Sequence, residues 1–317
     1  MSSKKLLVVF GATGNQGGSV ILTVLSDPFL SSQFQLRGIT RDPTKPSAAA
    51  LSSQGVELVK ADLDDKESLK KALEGAYAVF AVTNWQEVLD KKREVQQGKN
   101  IADVAKEVGV QQVIWSSLPN VSKITGGKNT GVLHFDSKAV VEEYMKSIGL
   151  PATFLLLGVF FHYSLFQLVP TSSDPAKKSY TLKVPLPLST KYALIDANKD
   201  VGKYVKSILL NRDALLGKQV LGGVREYSIE EAAGILRDVG GLDVKAAQVS
   251  EVEYRGILAA VGFPEFLQDD MVSNMKYIEE YGFFGGEDVK RDHHLLTEPL
   301  ETFEQWVASS PAVAAMK

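Results

Sequence analysis

The chain has 317 residues, 44% hydrophobic and 23% charged, with a formal net charge of −3. This fits one large or two modest globular domains and gives no electrostatic reason to expect nucleic acid or an anionic membrane as partner. With no cysteine, disulfides, thiolate nucleophiles and cysteine-ligated zinc are excluded, and any redox sensing must run through a bound cofactor.

Strand and helix signals alternate through the first half. Lys5–Phe10 reads as a strand and Gln16–Ser26 as a helix. Gln35–Thr40 is the second strand, ending at Arg41-Asp42-Pro43, and Lys45–Ser53 a helix. Val56–Lys60 is a short strand. Lys66–Leu73 is a helix capped by Asp64 or Asp65. Ala76–Val82 is the fourth strand, Glu87–Val108 a long polar-faced helix and Gln112–Trp115 the fifth strand. Leu133–Ile148 is helical until Gly149-Leu150-Pro151 stops it, and Ala152–Leu157 is the sixth strand. Strands separated by helices of this size predict β-α-β units, hence an α/β chain with a Rossmann-type doubly wound parallel sheet.

The rhythm changes after Gly158. The stretch 170–187 is rich in Pro, Ser, Thr and Lys and includes an extended piece at Ser179–Val184. Lys199–Leu210 reads as a helix returning to the main sheet, and Gln219–Leu221 as a short strand. Ser228-Ile229-Glu230-Glu231 is a capping box opening a helix to about Val239. Lys245–Val249 is a strand, and helices start at Glu251 and Pro264. The expectation is a dinucleotide-binding domain over 1–158. A smaller α+β lobe would span 159–317, with the segment around 190–212 returning to the first sheet. No stretch is apolar and long enough to span a bilayer, and the N-terminal apolar run is too short for a secretory signal, so a cytoplasmic location is expected, with the nucleus left open.

The most informative segment is Leu6-Leu7-Val8-Val9-Phe10-Gly11-Ala12-Thr13-Gly14-Asn15-Gln16-Gly17. An apolar strand feeds a turn with glycines three apart, and a helix follows. Backbone N–H groups in such a turn can approach a pyrophosphate, and the helix dipole favours its charge. Gly11 permits the turn, Gly14 lets phosphates come close, and Gly17 lets the helix pack near the strand. The spacing is G-x-x-G-x-x-G, which resembles the extended or atypical branches of the short-chain dehydrogenase/reductase superfamily.

Further segments carry a more specific resemblance. They are Thr40-Arg41-Asp42-Pro43, Ala61-Asp62-Leu63-Asp64-Asp65, Val82-Thr83-Asn84-Trp85, Gly98-Lys99, Trp115-Ser116-Ser117 and His134-Phe135-Asp136-Ser137-Lys138. With the glycine turn they resemble the NmrA-like family and, within it, the HSCARG-type NADPH sensors. The resemblance implies a fold that binds NADP(H) or NAD(H). It also implies kin that include transcriptional co-regulators, redox sensors and true reductases. A protein partner, either a transcription regulator or an enzyme, is implied by kinship alone, and a homodimer stays open. The turn residues Gly11, Ala12, Thr13, Gly14, Asn15, Gln16 and Gly17 would hold the pyrophosphate. NAD-preferring relatives carry a carboxylate after the second strand. Here Arg41 stands there, with Arg37 inside the strand and Lys45 nearby, and a guanidinium suits a 2′-phosphate. Asp42 follows directly and these could also be solvated loop charges; NADP(H) is expected as the preferred cofactor, with NAD(H) possible. Asp62 and Leu63 match positions flanking the adenine, and Thr83, Asn84 and Trp85 the loop over the middle of the dinucleotide. Lys99 is a cofactor contact by resemblance only. Phe160, Phe161, His162 and Tyr163 would wall the nicotinamide and a substrate mouth, although packing between lobes explains them as well.

Reductases of this superfamily use Tyr-x-x-x-Lys on one helix face and a serine after the fifth strand. This chain has His134 in the tyrosine place, Lys138 in the lysine place and Ser117 in the serine place. Two readings stay open: a regulatory NADP(H)/redox sensor, or an NADPH-dependent reductase of a small-molecule carbonyl, imine or activated alkene with His134 as acid. Tyr144 is discounted as the acid because no lysine follows four residues on. His293-His294 is not expected to bind metal, since adjacent side chains diverge and no third ligand spacing accompanies them. The loop Lys123–Gly131 lacks a true phosphate-loop spacing and is expected to be mobile beside the active site.

Overall fold

In the computed structural model, which describes residues 4–171 and 178–317, the apolar runs of the first half become parallel strands. They are β1 (Lys5–Val9), β2 (Phe34–Thr40), β3 (Glu57–Lys60), β4 (Ala76–Ala81), β5 (Gln112–Ser117) and β6 (Ala152–Leu157). The later strands are β7 (Val159–Phe160), β8 (Leu168–Pro170), β9 (Ser179–Val184), β10 (Lys191–Ile195), β11 (Gln219–Gly222), β12 (Arg225–Ser228) and β13 (Asp243–Gln248). Part of the Pro/Ser/Thr/Lys-rich stretch, residues 172–177, lies outside the described residues, as do residues 1–3.

The main sheet has the order β11-β6-β5-β4-β1-β2-β3, with every pair parallel. It is a Rossmann-like doubly wound sheet. Alternate side chains feed two cores. Val8, Phe10, Trp115 and Phe154 pack under the helices Lys66–Leu73, Lys91–Glu107 and Leu133–Ser147. Leu7, Val9, Phe80, Ile114 and Leu155 face the opposite layer, with helices Asn15–Ser26 and Asp200–Leu210. Burial on both faces is why these strands read as continuous apolar runs. Helix Asp200–Leu210 approaches helix Asn15–Ser26 closely: a Cβ on Gly202 would lie 2.3 Å from the Ser19 carbonyl oxygen. Because β1 bonds both β2 and β4, the winding direction reverses there. The crevice beyond the C-terminal ends of these strands is the switch point where ligands of such sheets bind.

Two three-stranded sheets, β12-β10-β7 and β13-β9-β8, build the rest of the chain with helices Ile229–Asp238, Glu251–Ala260, Glu265–Tyr281 and Phe303–Ser309. Local signals explain several boundaries. Asp65, rather than Asp64, caps Lys66–Leu73 by accepting from the Glu67 and Ser68 amides. The Ser228/Glu231 capping box is formed. The long helix expected over Glu87–Val108 is instead two, Trp85–Val88 and Lys91–Glu107. Leu89 turns left-handed (φ 46°) and Asp90 caps the second helix through the Lys92 and Arg93 amides. β5 continues to Ser117, so Ser116 and Ser117 leave the strand on opposite faces.

Candidate functional site

The glycine turn has the expected geometry. Gly11 adopts φ +62°, the Gly14 amide donates to the Gly11 carbonyl at 2.8 Å, and Gly14 is the N-cap of helix Asn15–Ser26 with no side-chain cap. A Cβ at Gly17 would stand 2.3 Å from the Gly11 oxygen and 2.5 Å from that of Phe10, so only glycine lets the helix lie this close. Thr13 and Asn15 are exposed at the turn, while Ala12 is buried and its amide donates to the Ile39 carbonyl. Gln16 Oε1 accepts from Ser116 Oγ at 2.7 Å. The result is an uncapped helix N-terminus at the switch point, with backbone donors suited to an anion.

At the end of β2, Arg41 reaches over the crevice edge and forks onto Glu87, with N···O distances of 2.6 and 2.7 Å. Asp42 is turned back on its own loop. The Thr44 hydroxyl and amide hold its carboxyl below the usual range, with the charges of Lys45 and Lys60 adding. Lys45 is exposed. Asp62 is exposed after β3, its amide bonded to Ser68 Oγ, and the Leu63 carbonyl accepts from Asn100 Nδ2 at 2.9 Å. Arg37 does not join this group. Its guanidinium donates to Glu57 and to the carbonyls of Ala72 and Glu74. These carbonyls precede β4, so Arg37 serves the end of the sheet opposite the crevice. Lys99 is also elsewhere. Its Nζ lies 4.9 Å from the Tyr144 ring centroid, on the contact between helices Lys91–Glu107 and Leu133–Ser147.

Beneath the crevice, Lys138 is buried with a carboxylate that sequence reasoning missed, Glu94. Lys138 Nζ donates to Glu94 Oε1 at 2.9 Å, to the Thr83 carbonyl at 3.0 Å and to Thr83 Oγ1 at 2.9 Å. Thr83 and Ser137 hydroxyls complete the carboxylate's shell. Burial works to raise the Glu94 pKa, but the Lys138 charge and the Ser137, Lys138 and Thr83 hydrogen bonds outweigh it and hold it below the usual value. All three ammonium hydrogens of Lys138 have protein acceptors. A lysine in the superfamily's catalytic place is here committed to protein partners. Ser117 departs too: its hydroxyl donates to buried Glu142 at 2.7 Å, a carboxylate also held by Lys146 and Gln219. It leaves the sheet toward the helix layer and is not directed at His134.

His134 stands in the first turn of helix Leu133–Ser147. Its Nδ1 is 2.5 Å from Asp270 Oδ2, and Asp270 Oδ1 accepts from the Leu133 and His134 amides. Asp270 comes from helix Glu265–Tyr281 and was also missed, since no local pattern links it to His134. Side-chain exposure is 20% for His134 and 0% for Asp270. The indole of Trp85 lies 6.2 Å from the imidazole, centroid to centroid, while Asn84 before it is exposed.

The aromatic cluster divides. Phe160 and Tyr163 stack at 5.5 Å, His162 packs on both, and Gln86 Nε2 donates to the Tyr163 hydroxyl at 2.9 Å. Burial pushes the His162 imidazole down and the Tyr163 phenol up, the latter opposed by the Gln86 bond. Phe161 is not part of the wall. It is buried against Phe303 and Trp306, because consecutive residues leaving extended β7 point to opposite sides. The loop 123–131 meets helix Glu265–Tyr281. Asn129 Nδ2 donates to the Ser273 carbonyl, and Gly131 packs directly on the Ser273 side chain. His293 and His294 donate to the backbone carbonyls of Gly223 and Arg291. Among the described residues, no helix is long and apolar enough to cross a membrane.

The profile of the NmrA-like family matches residues 3–307. An NmrA-like family domain-containing oxidoreductase, malD, of Malbranchea aurantiaca is 32% identical over 258 residues, covering 76% of this chain and 74% of that one. The negative transcriptional regulator NmrA, solved in complex with NADP, superposes with a TM-score of 0.79 at 21% identity, covering 99% and 97% of the two chains. Triphenylmethane reductase of Citrobacter sp., complexed with NADP(H), gives 0.72 at 20% identity, covering 96% and 98%. The chain belongs to the NmrA-like family.

Proposed function

We propose that this NmrA-like chain binds NADP(H) in the crevice over β1 and β4 and acts as a regulator that reads the NADPH/NADP+ state. NAD(H) would be the weaker ligand. The uncapped helix N-terminus beside Gly11 and Gly14 suits the pyrophosphate, and Arg41 suits a 2′-phosphate. Residues to about 158 would carry the dinucleotide, and the later lobe would cover it and present the partner surface. The observation that carries the regulatory reading is the internal use of the superfamily's catalytic groups. Lys138 is saturated by Glu94 and Thr83, and Ser117 by Glu142. The test is calorimetric titration of wild type and Arg41→Ala with NADPH, NADP+, NADH and NAD+. Reduced-cofactor absorbance is then followed with carbonyls, quinones and imines. Tight binding that depends on the 2′-phosphate, with no turnover, supports a sensor. Turnover abolished in His134→Ala with binding intact makes the protein a reductase.

The placement of His134 favours that second reading. Its ring is partly exposed, stands against Trp85 and is held by a buried carboxylate. A reduced nicotinamide, when bound, would supply hydride to the carbon of a carbonyl, imine or activated alkene. His134, carrying hydrogen on both ring nitrogens, would give the atom that receives the displaced π pair the proton from Nε2. Neutral His134 then keeps its other proton on Nδ1 and is recharged from solvent.

A further inference from the structure

We infer that Asp270 is the positioning residue of the site, fixing His134 as the Nδ1–H tautomer and turning Nε2 away toward the crevice. The inference deepens the reductase reading and rests on it for its catalytic consequence, but the tautomer itself can be measured without turnover. Asp270 already acts as an acceptor toward two backbone amides through Oδ1, and with its Oδ2 accepting as well the imidazole nitrogen 2.5 Å away carries the hydrogen. The two ring nitrogens diverge, so Nε2 points away from Asp270, and among the described residues it bonds to no protein group. Asp270 cannot drift. It is buried in the 17-residue helix Glu265–Tyr281, and its second oxygen takes the Leu133 and His134 amides. That oxygen supplies a cap which Val132, at the N-cap position, lacks. One carboxylate thus fixes the start of the helix and the orientation of the ring, and backbone and side chain of His134 are set together. A neutral imidazole in this state presents a bare Nε2 that receives and returns protons.

The experiment is two-bond 15N–1H correlation of the histidine rings at mildly alkaline pH. The chain has four histidines, and His134→Gln assigns the relevant signal. Wild type should show His134 as Nδ1–H. In Asp270→Asn the amide oxygen still accepts from the two backbone amides. Its N–H₂ now faces Nδ1, so His134 should switch to Nε2–H while the melting temperature changes little. If a carbonyl or imine is turned over, Asp270→Asn should lower kcat by about 10²–10⁴-fold with KM nearly unchanged, because the amide N–H₂ facing Nδ1 disfavours the doubly protonated ring that donates from Nε2. Nε2–H in wild type, or an unchanged tautomer in Asp270→Asn, overturns the inference. The predicted tautomers without turnover on any substrate support the positioning role and defeat the reductase reading instead.

Discussion

Glu87 sits where the 2′-phosphate of NADP(H) would seek its guanidinium, and this sets a quantitative expectation for cofactor choice. Arg41 and Glu87 form a two-point pair, but their side chains are 71% and 43% exposed. Such surface pairs contribute about 0–1 kcal/mol. A bidentate Arg–phosphate contact contributes about 1.5–3 kcal/mol. Exchanging one for the other leaves about 0.5–3 kcal/mol in favour of the phosphorylated cofactor, about two- to 150-fold in Kd. Arg41→Ala should therefore weaken NADPH by that factor and leave NADH unchanged. Glu87→Gln should tighten NADPH by up to about fivefold, because Arg41 is released and a like charge is removed. The gain should shrink as salt screens the exposed charges. The assay is isothermal titration of wild type and both variants with NADPH and NADH at low and high ionic strength. Equal loss of NADPH and NADH affinity in Arg41→Ala would refute the assignment of Arg41 to the 2′-phosphate. No change for Glu87→Gln at low salt would refute the competition.

Gly17→Ala would force its methyl to 2.3 Å from the Gly11 oxygen. It should abolish dinucleotide binding and cost about 1–3 kcal/mol by overpacking, read by titration and denaturant melts; wild-type affinity in this variant would remove the turn from the site. Lys138→Met leaves the Glu94 carboxylate buried without its cation, and should destabilise the fold by about 3–5 kcal/mol. Adding Glu94→Gln should recover part of that loss, and a melt of Lys138→Met superposing on wild type would show the pair to be inert. Burial, reinforced by the neighbouring Glu301 carboxyl, raises Asp196 from 3.8 to about 6. The folded state holds this proton more tightly than the unfolded chain, so stability falls as pH rises across that window. Asp196→Asn should melt higher than wild type above pH 6 and lose the advantage toward pH 4; a constant difference across the range would contradict the assignment.

What the sequence revealed about this protein is what short-range chemistry determines. The glycine turn needs positive φ at Gly11 and a missing Cβ at Gly17, both local demands that leave a readable spacing. The β-α-β rhythm is legible because strands buried on both faces must be apolar throughout. The short strands β7, β10 and β12 leave no such mark, since each finds its partner only through the folded lobe. Helix Phe303–Ser309 also carries a local signal: Thr302 and Gln305 form a capping box. Charge type alone misassigned Arg37. The register pairing it with Glu57 is set by the fold, and that register directs its guanidinium to the Ala72 and Glu74 carbonyls. Phe161 was grouped with its neighbours because adjacency in sequence hides the alternation of an extended segment. The site failed to read through for a deeper reason. Glu94 and Asp270 are acidic residues on helices with many polar residues, and nothing local distinguishes a buried carboxylate from a solvated one. Each acquires its role only when the fold brings it to Lys138 or His134. The three positions that correspond to a reductase's catalytic set, 117, 134 and 138, are readable one by one, with histidine replacing tyrosine at 134. Whether they work as a reductase's set depends on the carboxylates Glu142, Asp270 and Glu94 that claim them. That is why the Asp270 variant, with its turnover readout, bears on the reductase reading more directly than further substitutions in the glycine turn.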